Sequence, residues 1–433
     1  MKKVDLSECL DLVGLWFLPS DEDNLIPGRL TYSVDKGIRL NLESQFDNQE
    51  CSTIWGVAGG QKVTLLNSFS TSFSPFAKKV GGYFPTEVIA NQLLLGQHFQ
   101  NEEDITVQRI LFETSDIKPW TLLSGFTNNI EKDLQKRRFT INYQLPETAS
   151  IYSDENVDIN ILTNINIPSS FPPPEEVVFK EINYFEIKNK SNESGLGFCS
   201  HIDAIRKFVS LASRQNVKLK TIRLQESDSS EYVHFITNFI DISLDYKGRD
   251  NHPYNMFFTF KSVDNLNERY GKWYEFLKSS PEPVNLYFSK SKGYLHDVFL
   301  MKAQALEEIH RKLSPDKANF GYKSIVSYLF EKHIKIMSRV GDKEVFSSLV
   351  RDHRDYFTHW FEKKKDRVFS GIELDYLSRD VNLLMELCLL EVMGFCQDEI
   401  ERIIENCFDY RGYLEIGRPD GGNVQPPHRI MWK

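Results

Sequence analysis

Apolar and polar side chains alternate along the first part of the chain, in short stretches separated by turns. Gly14-Leu15-Trp16-Phe17-Leu18-Pro19 leads through an acidic loop to Pro27-Gly28-Arg29-Leu30-Thr31-Tyr32-Ser33. Val34-Asp35-Lys36-Gly37 then makes a turn, and Ile38-Arg39-Leu40-Asn41-Leu42 alternates with a period of two. A period of two buries one face of a strand, so these segments predict a β-hairpin. Residues 52–57 and 62–66, joined by Gly59-Gly60, predict a second hairpin. Further strands are expected at 105–113, 138–145 and 157–164. Several short strands at this spacing point to a sandwich or a strongly curved sheet. Gly59-Gly60 and Gly81-Gly82 lack both a following Lys-Ser/Thr and the G-x-G-x-x-G spacing, so they read as turns and not as phosphate-binding loops.

Phe171-Pro172-Pro173-Pro174-Glu175-Glu176 interrupts this pattern. Three consecutive prolines do not enter a sheet interior and favour extended geometry, so the segment reads as a linker or a crossover at a sheet edge. A mixed stretch follows. Strands are expected at 177–187, 217–224, 233–244 and 254–260. Ile202, Ile205, Phe208, Val209 and Ala212 share one face of a helix, as do Leu266, Tyr270, Trp273 and Leu277 in a second helix over 263–279. Those aromatics read as core and not as a cofactor pocket.

From about residue 292 the period becomes helical. Leu295, Val298/Phe299, Ala305/Leu306, Ile309 and Leu313 mark one helix, which Ser314-Pro315-Asp316 ends. A second runs from Tyr322 to Val340 and stops at Gly341. A third starts near Asp342 and carries Val345/Phe346, Leu349/Val350, Phe357 and Trp360/Phe361. A fourth spans 373–393 and a shorter fifth 398–408. Short connections predict an antiparallel bundle of four main helices. The expected organisation is α+β and multidomain: a β-rich N-terminal domain (1–170), a mixed continuation (171–288), a helical bundle (289–410) and an irregular tail (411–433).

Composition narrows the class. At 433 residues the chain is too long for one core. Aromatics at 13%, with 31 Phe and 18 Tyr, favour β-rich packing in part of it. The net charge of −9 gives the whole molecule no attraction for nucleic acid, so any RNA contact must rest on a local basic patch. Cys9, Cys51, Cys199, Cys388, Cys396 and Cys407 are scattered, with no C-x-x-C pair. That spacing argues against a zinc site or a disulfide framework and suits a reducing cytoplasm. The start carries basic residues without an apolar core, so no signal peptide is expected, and no apolar run approaches the roughly 20 residues of a membrane span. A soluble cytoplasmic protein is the expectation.

One stretch in the third helix carries chemistry: Arg351-Asp352-His353-Arg354-Asp355-Tyr356-Phe357-Thr358-His359-Trp360. An arginine can neutralise a phosphate and an imidazole can shuttle a proton near neutral pH, so Arg354 and His359 can together cleave a phosphodiester without a metal. Of the ten histidines, only His359 has an arginine five to seven positions upstream. On an ideal helix the two side chains point roughly 140° apart. Asp355 and His359 are neighbours one turn apart, as are Arg351 and Asp355, so Asp355 can fix the tautomer that His359 presents. Arg354 then needs its long reach, a distorted helix or a second subunit to complete the site. Such a ladder of Arg, Asp and His is commonly just a solvated, salt-bridged face. Here Arg351, Arg354, Lys363, Lys364, Lys365 and Arg367 outnumber Asp352, Asp355, Glu362 and Asp366, which leaves a basic patch suited to phosphate in an acidic chain.

The Arg-polar-x3-His arrangement on a helical bundle resembles a HEPN domain (higher eukaryotes and prokaryotes nucleotide-binding). Ala303-Gln304-Ala305-Leu306-Glu307 and the Arg-Asp-x-x-Thr-His core resemble the ApeA-type branch. Gly14-Leu15-Trp16-Phe17-Leu18-Pro19 and Pro27-Gly28-Arg29-Leu30 are similar to the β-rich N-terminal domain of bacterial ApeA anti-phage proteins. The resemblance implies a metal-independent, usually dimeric endoribonuclease of abortive infection, with tRNA among its targets. It needs no cofactor. It further implies that His359 is the acid/base, that Arg354 stabilises charge on the phosphate and that Asp355 fills the polar position. Arg351, Lys363, Lys364, Lys365 and Arg367 would then contact RNA. The products would carry 2′,3′-cyclic phosphate ends, and the β-rich region would sense a phage-derived trigger. Two other readings stay open: a HEPN bundle that only binds RNA or a partner, and a β-sandwich ligand-binding protein with a structural helical tail.

Overall fold

The computed structural model describes residues 4–46, 51–71, 85–115, 117–126, 131–133, 138–140, 142–166, 178–191, 194–227, 231–238, 240, 252–289, 294–314, 320–360 and 362–415. Gly81-Gly82, the proline run and the tail beyond 415 lie outside the described residues. The chain forms two compact units, Met1–Val209 with Val217–Lys247 and Ser210–Asn216 with Gly248–Lys433.

The first unit is built on strands β1 (Leu10–Leu18), β2 (Asp21–Ser33), β3 (Gly37–Leu42), β4 (Thr53–Ala58), β5 (Gln61–Leu66), β6 (Phe69–Ser70), β7 (Thr86–Ala90) and β8 (Gln92–Leu95). It continues through β9 (Arg109–Thr114), β12 (Ala149–Ser153), β13 (Val157–Asn166), β14 (Lys180–Asn189), β15 (Leu219–Gln225) and β16 (Val233–Thr237). A separate short pair is β10 (Glu131–Asp133) and β11 (Arg138–Thr140). The large sheet has the order β12-β13-β14-β9-β15-β16-β8-β5-β4-β1-β2-β3-β7-β6, and its described pairings are antiparallel.

That order fixes the curvature. Only Asn91 separates β7 from β8, yet β7 pairs with β3 while β8 pairs with β5 and β16. The run β8-β5-β4-β1-β2-β3-β7 therefore rolls round until its ends meet at Asn91. There Asn91 N–H donates to the Leu66 carbonyl (3.2 Å) and Asn238 N–H donates to the Asn91 carbonyl (3.0 Å). A strongly curved sheet, one of the two expected forms, is what forms.

Trp16 shows how the sequence supports the roll. Its ring is fully buried, and its register partner on β4 is Gly56. The indole lies where a Cβ on Gly56 would stand, and a Cβ on Gly28 of β2 would come within 2.9 Å of it. Gly56→Ala is expected to cost about 1–3 kcal/mol by overpacking, measured as a lower urea midpoint. An unchanged midpoint would mean that the ring can move aside. In the other half of the sheet, Phe112 and Phe185 stack at 5.1 Å. Helix α1 (Ile117–Thr121) brings Trp120 to 6.2 Å from Phe208 of α2 (Phe198–Ser213).

The expected strand at 254–260 does not form. Two 3-10 turns, Pro253–Asn255 and Phe260–Ser262, stand there instead. Its apolar residues are buried by ring contacts, Phe257 on Tyr410 (6.0 Å) and Phe258 on Phe395 (5.3 Å), so strand pairing is not what hides them. Of the strand expected at 138–145, β11 covers 138–140, and of the one at 233–244, β16 covers 233–237; residues 141, 239 and 241–251 lie outside the described ones.

The second unit contains α3 (Leu266–Ser279), α4 (Glu282–Phe288), α5 (Leu295–Leu313), α6 (Tyr322–Lys332), α7 (Ile334–Met337), α8 (Lys343–His359), α9 (Gly371–Val392), α10 (Gln397–Asn406) and α11 (Phe408–Glu415). Helices α5, α6, α8 and α9 pack on one another. Phe299, Ala303, Leu306 and Ile309 of α5 meet Phe346 and Val350 of α8 and Leu377, Val381 and Leu384 of α9 in a fully buried core. The single helix expected over 322–340 is broken at His333. Its imidazole is held by Gln397 (3.1 Å) and by Glu391 (3.3 Å), contacts that an uninterrupted helix would not present in the same way. The tail expected to be irregular from 411 is helical to Glu415. Among the described residues no helix is long and apolar enough to cross a membrane.

Candidate active site

Helix α8 is positioned by its apolar face. Phe346, Val350 and His353 are buried at helical spacing. Its start is capped by Asp342, whose carboxylate accepts from Val345 N–H at 3.0 Å. Its end is set by Trp360, which takes a left-handed conformation (φ 52°) at the C-cap and keeps its side chain 58% exposed. An aromatic residue seldom adopts that conformation, which glycine usually supplies at helix ends. His359 is thereby the last helical residue, with its side chain exposed.

His353, close by in sequence, is the structural histidine. It is fully buried, its Nδ1 is 2.7 Å from the Leu349 carbonyl and its Nε2 accepts from Phe369 N–H at 2.6 Å. Only the neutral ring fits both bonds. Burial pushes its pKa down, outweighing the upward pulls of the Leu349 carbonyl and Asp352. The unfolded chain therefore takes up this proton first, and stability falls as pH drops below about 6.5, having been constant above it. Urea midpoints measured from about pH 8 to 5 are expected to show that decline, and to show less of it in His353→Gln. An equal decline in both proteins contradicts the assignment.

Arg354 points into the groove between α5 and α6. Its Nη2 is 3.5 Å from Glu307, its Nη1 is 3.4 Å from Asp355, and its guanidinium lies 5.0 Å from the Tyr322 ring centre. Tyr322 is itself anchored, its hydroxyl donating to the Ala303 carbonyl at 2.8 Å. The two carboxylate contacts are long for charged hydrogen bonds, so the guanidinium is aimed without its donors being tightly engaged. Arg351 differs. Its Nη2 and Nε donate to Asp352 at 2.7 and 3.0 Å, so it is tied to its sequence neighbour and not to Asp355.

Arg354 and His359 both lie on this helix five residues apart, which on an ideal helix is roughly 140° of rotation. Asp355 stands beside Arg354. Lys363, Lys365 and Arg367 are exposed on a 3-10 turn, Glu362–Arg367, that directly follows the helix end. The side chain of Lys364 lies outside the described residues.

Sequence reading missed a cluster of rings beside His359. His296 of α5 stacks between Tyr294 (5.3 Å) and Phe357 (5.3 Å), with Trp360 edge-on at 5.9 Å. Tyr294 is 74% exposed, so the cluster presents aromatic surface to solvent. These residues come from the start of one helix and the end of another, and no local pattern joins them. Glu307 and Tyr322 were likewise hidden as partners of Arg354.

A curved antiparallel sheet followed by a helical bundle with Arg354 and His359 on one helix defines the class: a β-rich domain joined to a HEPN domain. Comparison with protein families agrees. Residues 11–273 match ApeA N-terminal domain 1, and residues 300–399 match Apea-like HEPN. The first match alone covers more than half of the chain, which belongs to the ApeA family, a family of defence-related HEPN proteins. No curated protein and no solved structure matches.

Proposed function

We propose that the protein is a metal-independent endoribonuclease acting in anti-phage abortive infection, with tRNA among its substrates. The observation that carries the reading is the weakly engaged guanidinium of Arg354 on the same helix that ends in exposed His359, inside the HEPN match. In the reaction, the His359 imidazole accepts the proton of a ribose 2′-hydroxyl. The 2′-oxygen attacks the adjacent phosphorus and the bond to the 5′-oxygen breaks. That oxygen leaves with a proton, giving a 5′-hydroxyl and a 2′,3′-cyclic phosphate. Arg354 stabilises the charge that builds on the non-bridging oxygens. Lys363, Lys364, Lys365 and Arg367 hold flanking phosphates, and Tyr294 and Trp360 give an unstacked base a surface to lie on.

A symmetric dimer fits this reading. The two side chains diverge within one chain, and a second copy would bring the arginine of one helix to the histidine of the other. The same divergence favours the alternative of a HEPN module that binds RNA without cutting it. Incubation of the full-length protein with total bacterial RNA in EDTA separates the two. Discrete cutting, lost in both His359→Ala and Arg354→Ala, is expected. Binding without cutting would support the alternative.

A further inference from the structure

Among the described residues of the helical unit, adjoining cavities of about 370 and 460 Å³ lie away from Arg354 and His359, which line neither. Both are lined by Arg214, Lys302 and Asn382, and the smaller also by Arg379, Asp409 and Tyr413. All of these residues belong to the one unit. Three cations from three segments, residues 210–216, α5 and α9, therefore line one recess.

Their direct contacts are few. Lys302 has neither a hydrogen bond nor an ion pair among the described residues. Burial draws its pKa down, although Glu386 and Asp375 pull it up from a distance. A half-buried ammonium without a counter-ion is uncommon, because the lost hydration is normally replaced by a paired charge. Among the described residues Arg379 is bound to Asp375 one turn away, at 2.8 Å, and is 60% exposed. Arg214 donates through Nη1 to Asp409 at 3.1 Å and to Cys407 Sγ at 3.2 Å and lies 4.2 Å from the Tyr410 ring centre, while its buried Nε has no hydrogen-bond partner among the described residues.

The nearby buried carboxylate is already occupied. Glu386 accepts from Tyr287 at 2.6 Å, from Asn382 at 2.9 Å and from Tyr410. Those bonds hold it away from direct contact with Lys302, on which it acts only through its charge.

We propose that this recess binds a phosphorylated small molecule, its phosphoryl group seated between Lys302, Arg379 and Arg214. A phosphoryl group carries up to two charges and three acceptor oxygens, which suits cations arriving from three directions; a carboxylate brings one charge in one plane. The recess has room for more than the phosphoryl group alone, and Asp409 can accept from hydroxyls on the rest of the ligand. The proposal does not depend on the nuclease reading.

Titration calorimetry of the full-length protein with inorganic pyrophosphate, and with citrate as a carboxylate of similar charge, tests it. Saturable pyrophosphate binding is expected, tighter than citrate, weakened about tenfold or more in Lys302→Met and in Arg379→Gln. It should be unchanged in His359→Ala and Arg354→Ala. Arg379 is exposed enough that its variant keeps the fold, which guards against a Lys302→Met protein that merely misfolds. No saturable pyrophosphate binding overturns the proposal. So does equal binding of citrate, equal affinity in wild type and Arg379→Gln, or loss in Arg354→Ala.

Discussion

RNA cleavage by a His359→Ala protein is expected to fall by about 10²- to 10⁴-fold, the range that a positioned general acid or base contributes. Its unfolding free energy in urea should stay within about 0.5 kcal/mol of wild type, because the side chain is exposed at the helix end. The comparison with its neighbour makes the result specific. His353→Gln removes an imidazole six residues away that bonds Leu349 and Phe369. That change should lower stability through the lost buried bonds and spare the rate of the folded fraction. Cleavage that survives in His359→Ala and disappears in folded His353→Gln would contradict this and place the chemistry on His353.

The second large effect is at Arg354. Arg354→Ala is expected to lower cleavage by about 10²- to 10³-fold through loss of charge stabilisation. Arg354→Lys should recover only part of it, since lysine keeps the charge and loses the fork that meets two phosphate oxygens. The stability cost should be small, about 1 kcal/mol or less. The contacts with Glu307 and Asp355 are long and partly exposed, and the packing on Tyr322 supplies the remainder. If two copies share one site, a mixture of Arg354→Ala and His359→Ala proteins regains activity that neither has alone. A mixture as inactive as its parts places both groups in one chain's site. A large stability loss with unchanged cleavage per folded molecule would make Arg354 a structural residue.

What was legible in the sequence follows the range of the interactions. The hairpins β2–β3 and β4–β5 lie in local alternation and in the turns at 34–37 and Gly59-Gly60, whereas the acidic stretch expected as a loop is the start of β2, paired with β1. Val88-Ile89-Ala90 and Leu93-Leu94-Leu95 are short apolar runs only two polar residues apart, and their spacing alone does not show that Asn91 divides two strands belonging to distant parts of the sheet. The break at His333 was hidden for the same reason, since its cause lies in Glu391 and Gln397, more than fifty residues away. The aromatic run 254–260 has strand-like composition, and only its contacts with Phe395 and Tyr410 decide otherwise.

At the site, both Arg354 and His359 fall on the helix that the sequence predicts, and helical geometry separates them in direction. Sequence could not show which carboxylates face the arginine. Arg351 meets Asp352 and not the residue one turn on, because side-chain direction settles a choice that spacing leaves open. Lys302 was invisible as well. A single lysine on an amphipathic helix reads as solvated, and the recess around it exists only once α5, α9, α11 and residues 210–216 come together.

The chemistry of the RNA ends tests the central claim most directly. Full-length wild type and His359→Ala are each incubated with total bacterial RNA in EDTA, and the new termini are mapped. Cuts ending in 2′,3′-cyclic phosphate and 5′-hydroxyl, from wild type alone, are the predicted result. Cuts made equally by His359→Ala, or wild-type cuts that leave 3′-hydroxyl ends, would contradict it.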